Sequence, residues 1–161
     1  MSVAVVYKSD VTVAETLANN TDSASATKRV VTHDEFNTDL SLIVTSPVTK
    51  VAAFVQALST GTATIDLCDL TGTNGASVSG DGLKVQVFKM KNLGDNVMSI
   101  TFGGTHPYEM MGSDFKVELD SGTEFLFYGN DATPDIASDS ADKMDLAGTD
   151  EQTCEIMIVM G

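Results

Sequence analysis

The segment from residue 83 to residue 128 constrains the fold of this 161-residue chain more than any other. Short runs of alternating apolar and polar residues follow one another through it, and polar turns at residues 92–96 and 120–122 separate these runs. Alternation with a period of two is typical of strands that bury one face. The segment is therefore predicted to form consecutive β-strands joined by tight turns.

The apolar phase changes once within this segment. Leu83, Val85 and Val87 share one face of a predicted strand, whereas Phe88 and Met90 continue with the other phase. A one-residue change of phase is expected at a β-bulge, where one strand carries an extra residue. A bulge is therefore predicted between Val87 and Phe88.

Residues 48–58 allow two structures. As a helix, the segment would follow an N-cap at Ser46, with Pro47 as its first helical residue. As a strand, it places alternate residues on one face: Val51, Ala53, Val55 and Ala57. The strand is favoured, because the segments on both sides have β patterns.

About eight to ten short strands with regularly spaced turns predict an all-β fold. The most economical arrangement is an antiparallel β-sandwich, jelly-roll-like, with an N-terminal extension. Residues 1–27 are predicted to be an arm or an edge hairpin, and residues 28–161 to be the sandwich domain. The last predicted strand, residues 153–160, carries apolar side chains on both faces, as a central or an interface strand does.

The charge balance limits the class of partner. The chain carries 23 acidic and 9 basic residues, which gives a net charge of −14. Nucleic-acid and anionic-membrane surfaces need clustered Lys and Arg, so neither partner is expected. No window approaches the length of a membrane-spanning apolar run, and the first residues lack the pattern of a signal peptide. The protein is expected to be soluble and synthesised in the cytoplasm.

The sequence contains no recognisable catalytic or cofactor motif. His33 and His106 are its two histidines, and neither stands in a metal or nucleophile pattern. The G-x-S-x-G and phosphate-loop motifs are missing. Cys68 and Cys154 allow one disulfide or two free thiols, and free thiols that pack as small apolar residues are favoured. We therefore expect a protein that is not an enzyme and uses no cofactor.

The acidic segment from residue 130 to residue 151 allows a solvated loop or a calcium site. Ca²⁺ takes about six to eight oxygen ligands. The spacing of the aspartates matches no EF-hand loop, so a solvated loop is favoured. The weak candidates for metal ligands are Asp135, Asp139, Asp142 and Asp145.

Six aromatic residues allow either a hydrophobic core or a platform that stacks on sugars. Most of them fall at core phases of predicted strands, and the chain has no Trp. Core packing is therefore favoured. These residues are Phe88, Phe102, Phe115, Phe125, Phe127 and Tyr128.

Four segments resemble signatures of small structural proteins of tailed bacteriophages. ATIDLCDLTGTNGASVSGDGLKVQVFKMKN is similar to the family's "DLT-LTGT-G" pattern followed by a strand that begins K-V-Q, and NLGDNVMSITFG to its "N-x-x-x-N-x-[IL]-T" hairpin. ELDSGTEFLFYGNDATPDIA resembles the "PGE" turn and "P-D-I/V-A" loop, although Asp120 and Ser121 precede the glycine where the family tends to have Pro. MDLAGTDEQTCEIMIVMG resembles the closing "DLTGTG-Q" and terminal strand. The likeness covers residues 48–161.

This resemblance implies a virion component, in particular a capsid decoration (cement) protein that binds and stabilises the outer face of a phage head. The implied partners are the major capsid protein and further copies of the chain, with a homotrimer favoured. The implied location is the head surface of the virion, after synthesis in the host cytoplasm. The alternative is a receptor- or carbohydrate-binding β-sandwich of a phage tail or fibre. Interface candidates come from the N-terminal arm and the two-faced last strand: Val3, Val5, Tyr7, Met157 and Val159.

Overall fold

A computed structural model describes residues 5–7, 11–16, 28–33, 38–39, 45–72, 75–102, 104–129 and 132–161 of the chain. Within these ranges there are fourteen β-strands and no helix. The strands are β1 (Val6–Tyr7), β2 (Val11–Thr16), β3 (Lys28–His33), β4 (Thr38–Asp39), β5 (Lys50–Ala57), β6 (Thr62–Asp66), β7 (Leu70–Thr71), β8 (Ser77–Val78), β9 (Val85–Asn92), β10 (Met98–Phe102), β11 (Phe115–Leu119), β12 (Glu124–Tyr128), β13 (Lys143–Ala147) and β14 (Thr153–Met160). None of the described residues belongs to a helix long and apolar enough to cross a membrane.

Eight of these strands form two four-stranded antiparallel sheets. Sheet I has the order β5-β14-β9-β12, and sheet II has the order β6-β13-β10-β11. Equal positions in the two sheets are occupied by strands that are consecutive in the chain. The four such pairs are β5 and β6, β14 and β13, β9 and β10, and β12 and β11. The predicted antiparallel β-sandwich is confirmed, and residues 50–57 form a strand rather than a helix.

The core lies between the two sheets. Met98, Ile100 and Phe102 of sheet II are completely buried, as their alternation predicts. From sheet I, Phe88 meets Phe102 edge to face, with ring centroids 6.0 Å apart and an interplanar angle of 82°. Burial of each such side chain stabilises the fold by roughly 1.5–3 kcal/mol. The aromatic contact therefore ties the two sheets together at the centre of the sandwich.

The bulge predicted in β9 is present. Val159 of β14 pairs with Val87, but the next residue, Met160, pairs with Val85. Gln86 is therefore the extra residue in β9, one position before the predicted site. As a result, Val85 and Phe88 both face the core, while Val87 packs on the opposite side of sheet I.

The face predicted for β5 turns outward. Ala52 is completely buried and Phe54 packs against the core, so these residues define the inner face. Val55, on the other face, is 62% exposed. The outer face of β5 is consequently as apolar as its inner face.

A strand interrupts the acidic segment that was expected to be a solvated loop. β13 lies inside sheet II, between β6 and β10, and Met144 and Leu146 are buried. The expectation was wrong here because two apolar residues among aspartates give a weak local pattern. Pairing with two neighbouring strands, which is not local in sequence, supplies the burial that makes this segment a strand.

The two ends of the sandwich differ in the length of their connections. At one end, tight turns join β5 to β6, β9 to β10, β11 to β12 and β13 to β14, and backbone hydrogen bonds link neighbouring turns. The longer connections, which follow β6, β10 and β12, start and finish at the other end. The chain also enters and ends there: the Thr49 amide donates to Met160 at 2.9 Å, and Gly161 and Lys84 exchange two backbone bonds.

The N-terminal strands pair with one another rather than with either sheet. β1 pairs with β4 and β2 pairs with β3, in a nested antiparallel register. The domain boundary predicted at residue 27 therefore falls between the two strands of one hairpin. Strands β3 and β4 both pair with strands of the N-terminal extension.

Candidate functional site

The outer face of sheet I brings together three of the five predicted interface residues, Val5, Met157 and Val159. Val159, although it points away from the core, is only 1% exposed, because it packs with Val48 and Val87 in a second apolar cluster. Val5 packs against this cluster from the N-terminal segment. Among the other interface candidates, Tyr7 lies in β1, and Val3 lies outside the described residues.

The strand register arranges this outer face in rows that cross all four strands. The first row is Tyr128, Val87, Val159 and Val51, which belongs to the second apolar cluster. The second row is Leu126, Lys89, Met157 and Ala53. The third row is Glu124, Lys91, Glu155 and Val55. An apolar surface thus continues from the covered first row into the second row, whereas Val55 is the one apolar residue of the third row.

The open rows expose large apolar side chains. Leu126 is 42% exposed, Met157 is 37% exposed, and Val55 is the most exposed of the three. A shallow depression of ≈ 190 Å³ lies beside Met157 and is also lined by Ala53 and Lys89. Exposed apolar residues at neighbouring positions of one sheet are typical of surfaces that bind another protein.

The charges on this face are balanced, unlike those of the whole chain. Lys91 stands between Glu124 and Glu155 in the third row, and the Lys89 ammonium of the second row lies 3.1 Å from the Glu124 carboxylate. Both partners are well exposed, so this ion pair contributes only about 0–1 kcal/mol to stability. Its main consequence is a locally neutral surface on a chain with a net charge of −14.

The four aspartates proposed as calcium ligands are not brought together. Asp135 and Asp139 are exposed, whereas Asp142 is buried. Asp145 accepts a hydrogen bond from the Thr64 hydroxyl at 2.8 Å, and alternation along β13 places it on the opposite side of the strand from Asp142.

Asp142 instead meets Asp66 and Cys68, neither of which the sequence indicated as a metal ligand. A carboxylate oxygen of Asp66, the Cys68 sulfur and a carboxylate oxygen of Asp142 all lie within 4.8 Å of one another. In the part of the chain that the structure describes, this is the one group of three potential metal ligands so close together. The pairing of β6 with β13 creates it, and no local motif could have indicated it.

Both cysteines are free thiols, as expected. Cys154 is completely buried, and burial raises its pKa to about 11. Cys68 is half-buried, and burial followed by the neighbouring carboxylates of Asp142, Asp81 and Asp66 raises its pKa. Raised pKa values keep both groups protonated at neutral pH, so neither is an activated nucleophile.

Most of the aromatic side chains are structural. Phe125 and Phe127 pack against the core, and Tyr128 packs against the second apolar cluster. Tyr108 is completely buried, where its hydroxyl donates to the Pro134 carbonyl at 2.8 Å and accepts from the Val85 amide. Phe115, at 37% exposure, is the one aromatic among the exposed large apolar residues of the described segments.

Comparisons of the chain with protein-family models, with curated proteins and with solved structures find no match. The resemblance to tailed-phage structural proteins therefore stays a hypothesis.

Proposed function

We propose that the chain is a non-enzymatic capsid decoration protein of a tailed bacteriophage. It binds the major capsid protein on the outer surface of the head and stabilises the shell as a homotrimer. The outer face of sheet I, together with the N-terminal hairpin, is the docking surface of this proposal.

The strand order is the first support. If the eight strands of the two sheets are numbered along the chain, sheet I has the order 1-8-3-6 and sheet II the order 2-7-4-5. We interpret this order as a jelly roll, an architecture that viral capsid and lectin domains use. Because one fold serves many functions, the order supports a class of protein and not a particular role.

The observation that carries the proposal is the meeting of three segments that resemble the phage family. Asn92 begins the first of these, and its side-chain amide donates to the Asn96 carbonyl at 2.7 Å and to the Leu119 carbonyl at 3.0 Å. Gln152, from the closing segment, donates to the Asn92 side-chain oxygen at 3.0 Å. Signatures separated in sequence therefore form one hydrogen-bonded network, which supports a shared fold over a chance likeness.

The surface chemistry is the second support. A decoration protein needs a neutral or apolar face towards the shell and a charged remainder that prevents aggregation. The outer face of sheet I exposes Val55, Leu126 and Met157 among paired charges, while the chain as a whole is strongly acidic.

The test is an add-back experiment with phage heads. Heads that lack the chain are prepared from the phage whose genome encodes it, by deletion of the gene, and are mixed with purified protein. The proposal expects co-sedimentation at a saturable stoichiometry, a higher temperature of head disruption, and a free mass three times the 17.0 kDa chain. Absence of binding to such heads would overturn the capsid role.

The carbohydrate-binding alternative has less support. It needs an exposed aromatic cluster, and of the six candidate residues Phe115 alone is among the exposed large apolar residues of the described segments. A glycan array probed with the labelled chain tests this alternative directly, and specific binding there would favour it over capsid decoration.

A further inference from the structure

One corner of the sandwich, at the end with the long connections, holds potential metal ligands on rigid backbone. Asp66 is the last residue of β6 and pairs with Lys143, the first residue of β13. The Leu67 amide donates to the Asp142 carbonyl at 2.8 Å, which fixes the two strand ends side by side. The Cys68 amide donates to Asp66 Oδ1 at 2.9 Å. This bond holds the Asp66 carboxylate against the backbone of the residue that carries the thiol.

Asp142 is a buried carboxylate with an unused oxygen. Its side chain is 2% exposed. Oδ2 accepts a hydrogen bond from the Asp139 amide at 3.1 Å and lies 3.4 Å from the Lys143 ammonium, whereas Oδ1 has no hydrogen-bond partner. A buried charged oxygen without a partner is costly, and a cation is the ligand that would satisfy it.

The charges at this corner are also unbalanced. The carboxylates of Asp66, Asp81 and Asp142 all act on Cys68, and the Lys143 ammonium contacts two of them. Lys143 keeps 26% of its side chain exposed, so its ammonium can withdraw into solvent if another cation takes its place. The corner therefore holds more negative charge than its single lysine compensates.

We propose that Asp66, Cys68 and Asp142 form a site for a divalent transition-metal cation, with Zn²⁺ as the best match. The site goes beyond capsid binding and does not depend on it. A thiolate with two carboxylates suits a borderline-soft ion, whereas Ca²⁺ requires more oxygen ligands than the corner offers. Three protein ligands leave a fourth position for water, which the half-exposed side of Cys68 admits. Binding replaces the S–H bond by a metal–sulfur bond and releases the thiol proton to the buffer.

The experiment uses the full chain with Co²⁺ as a spectroscopic probe and Zn²⁺ as competitor. A thiolate bound to Co²⁺ gives a near-ultraviolet charge-transfer band, and the chain has two cysteines. We expect this band in the unchanged protein and in Cys154→Ser. We expect it to be lost in Cys68→Ser and in Asp142→Asn, and to disappear when Zn²⁺ is added. A folded circular-dichroism spectrum is required of each variant.

Lys143 provides a second, independent measurement. Because its ammonium competes for the same carboxylates, Lys143→Gln should destabilise the metal-free protein and yet tighten Zn²⁺ binding in a calorimetric titration. Lys116→Gln is the matched control, since Lys116 pairs with Glu118 at 2.8 Å on another strand. The proposal is overturned if excess Co²⁺ gives no charge-transfer band, if the band persists in Cys68→Ser, or if Lys143→Gln leaves Zn²⁺ affinity unchanged.

Discussion

Gln152 Nε2 donates a hydrogen bond to Asn92 Oδ1 at 3.0 Å, which joins two turns that are 60 residues apart in sequence. Both side chains are buried at the end of the sandwich that carries the tight turns. The same Gln152 amide also bonds the Asn96 carbonyl at 2.6 Å, and the Gly94 amide donates to Asn92 Oδ1 at 2.9 Å. A buried hydrogen bond between Gln152 and Asn92, rather than a hydrophobic contact, therefore links these two turns.

Asn92→Ala should lower the free energy of unfolding by about 2–4 kcal/mol, because several buried partners lose their hydrogen bonds at once. Gln152→Ala should have a similar effect, and the double variant should cost less than the sum of the two. Urea denaturation measures all three. Gln56→Ala is the control, since its amide bonds only the adjacent Ala57 carbonyl, and it should change stability by less than about 0.5 kcal/mol.

Met157→Lys tests the docking surface. The new ammonium would have to be desolvated if the outer face of sheet I becomes buried against the shell, so binding to heads should weaken by tenfold or more, about 1.4 kcal/mol. Met111→Lys is a matched control, because Met111 has 36% exposure against 37% for Met157 but lies in the connection between β10 and β11. Equal loss of binding in both variants, measured by co-sedimentation, would place the docking surface elsewhere.

Deletion of residues 1–44 tests the N-terminal hairpin. The cut must fall there rather than at residue 27, because β2 and β3 pair with each other and a shorter deletion would leave β3 without its partner. The remaining sandwich should stay folded, while Val48, Val87 and Val159 lose the cover of Val5. We expect weaker trimerisation by light scattering and weaker binding to heads.

Val5→Asp is the subtler counterpart of this deletion, since it keeps the hairpin and places a charge against the second apolar cluster. If the variant and the deletion both retain full trimer mass and full head occupancy, the hairpin has no part in assembly.

Alkaline pH should destabilise the protein through Cys154. Its pKa is raised from 9.0 to about 11 in the folded state by burial. Between these two values the unfolded chain has lost the thiol proton while the folded chain keeps it, so stability falls as the pH rises from about 9 to about 11. Thermal melts across this range measure the effect, and Cys154→Ala should flatten the pH dependence. A slope unchanged by that substitution would assign the effect to other groups.

The sequence was sufficient where strands are strongly alternating and local turns are tight. Met98, Ile100 and Phe102 have one dominant period, and their inward orientation followed from it. The phase change near Phe88 likewise revealed the bulge to within one residue. These features depend on neighbours in the chain, and the pattern records them directly.

The missed features all depend on pairing between distant segments. β13 contains two large apolar residues in five and owes its burial to β6 and β10. The approach of Asp66 to Asp142 comes from the same pairing, across 76 residues of sequence. The pairing of β2 with β3 likewise joins segments on the two sides of the boundary predicted at residue 27. Contacts between segments far apart in the chain are not recorded in the apolar periodicity of either segment.

The pairing of β5 with β14 also decides how the sandwich would carry mechanical load. β5 is paired with the central strand β14 along all eight of its residues, and Thr49 adds a bond immediately before it. A pull along the axis of β5, applied through the N-terminal hairpin, would strain these bonds together in shear instead of breaking them one by one. β14 passes the force on to β9. A subunit held by its N-terminal segment would therefore resist tension with its whole sheet. The barrier to forced unfolding would set the rate at which the subunit unfolds under that tension.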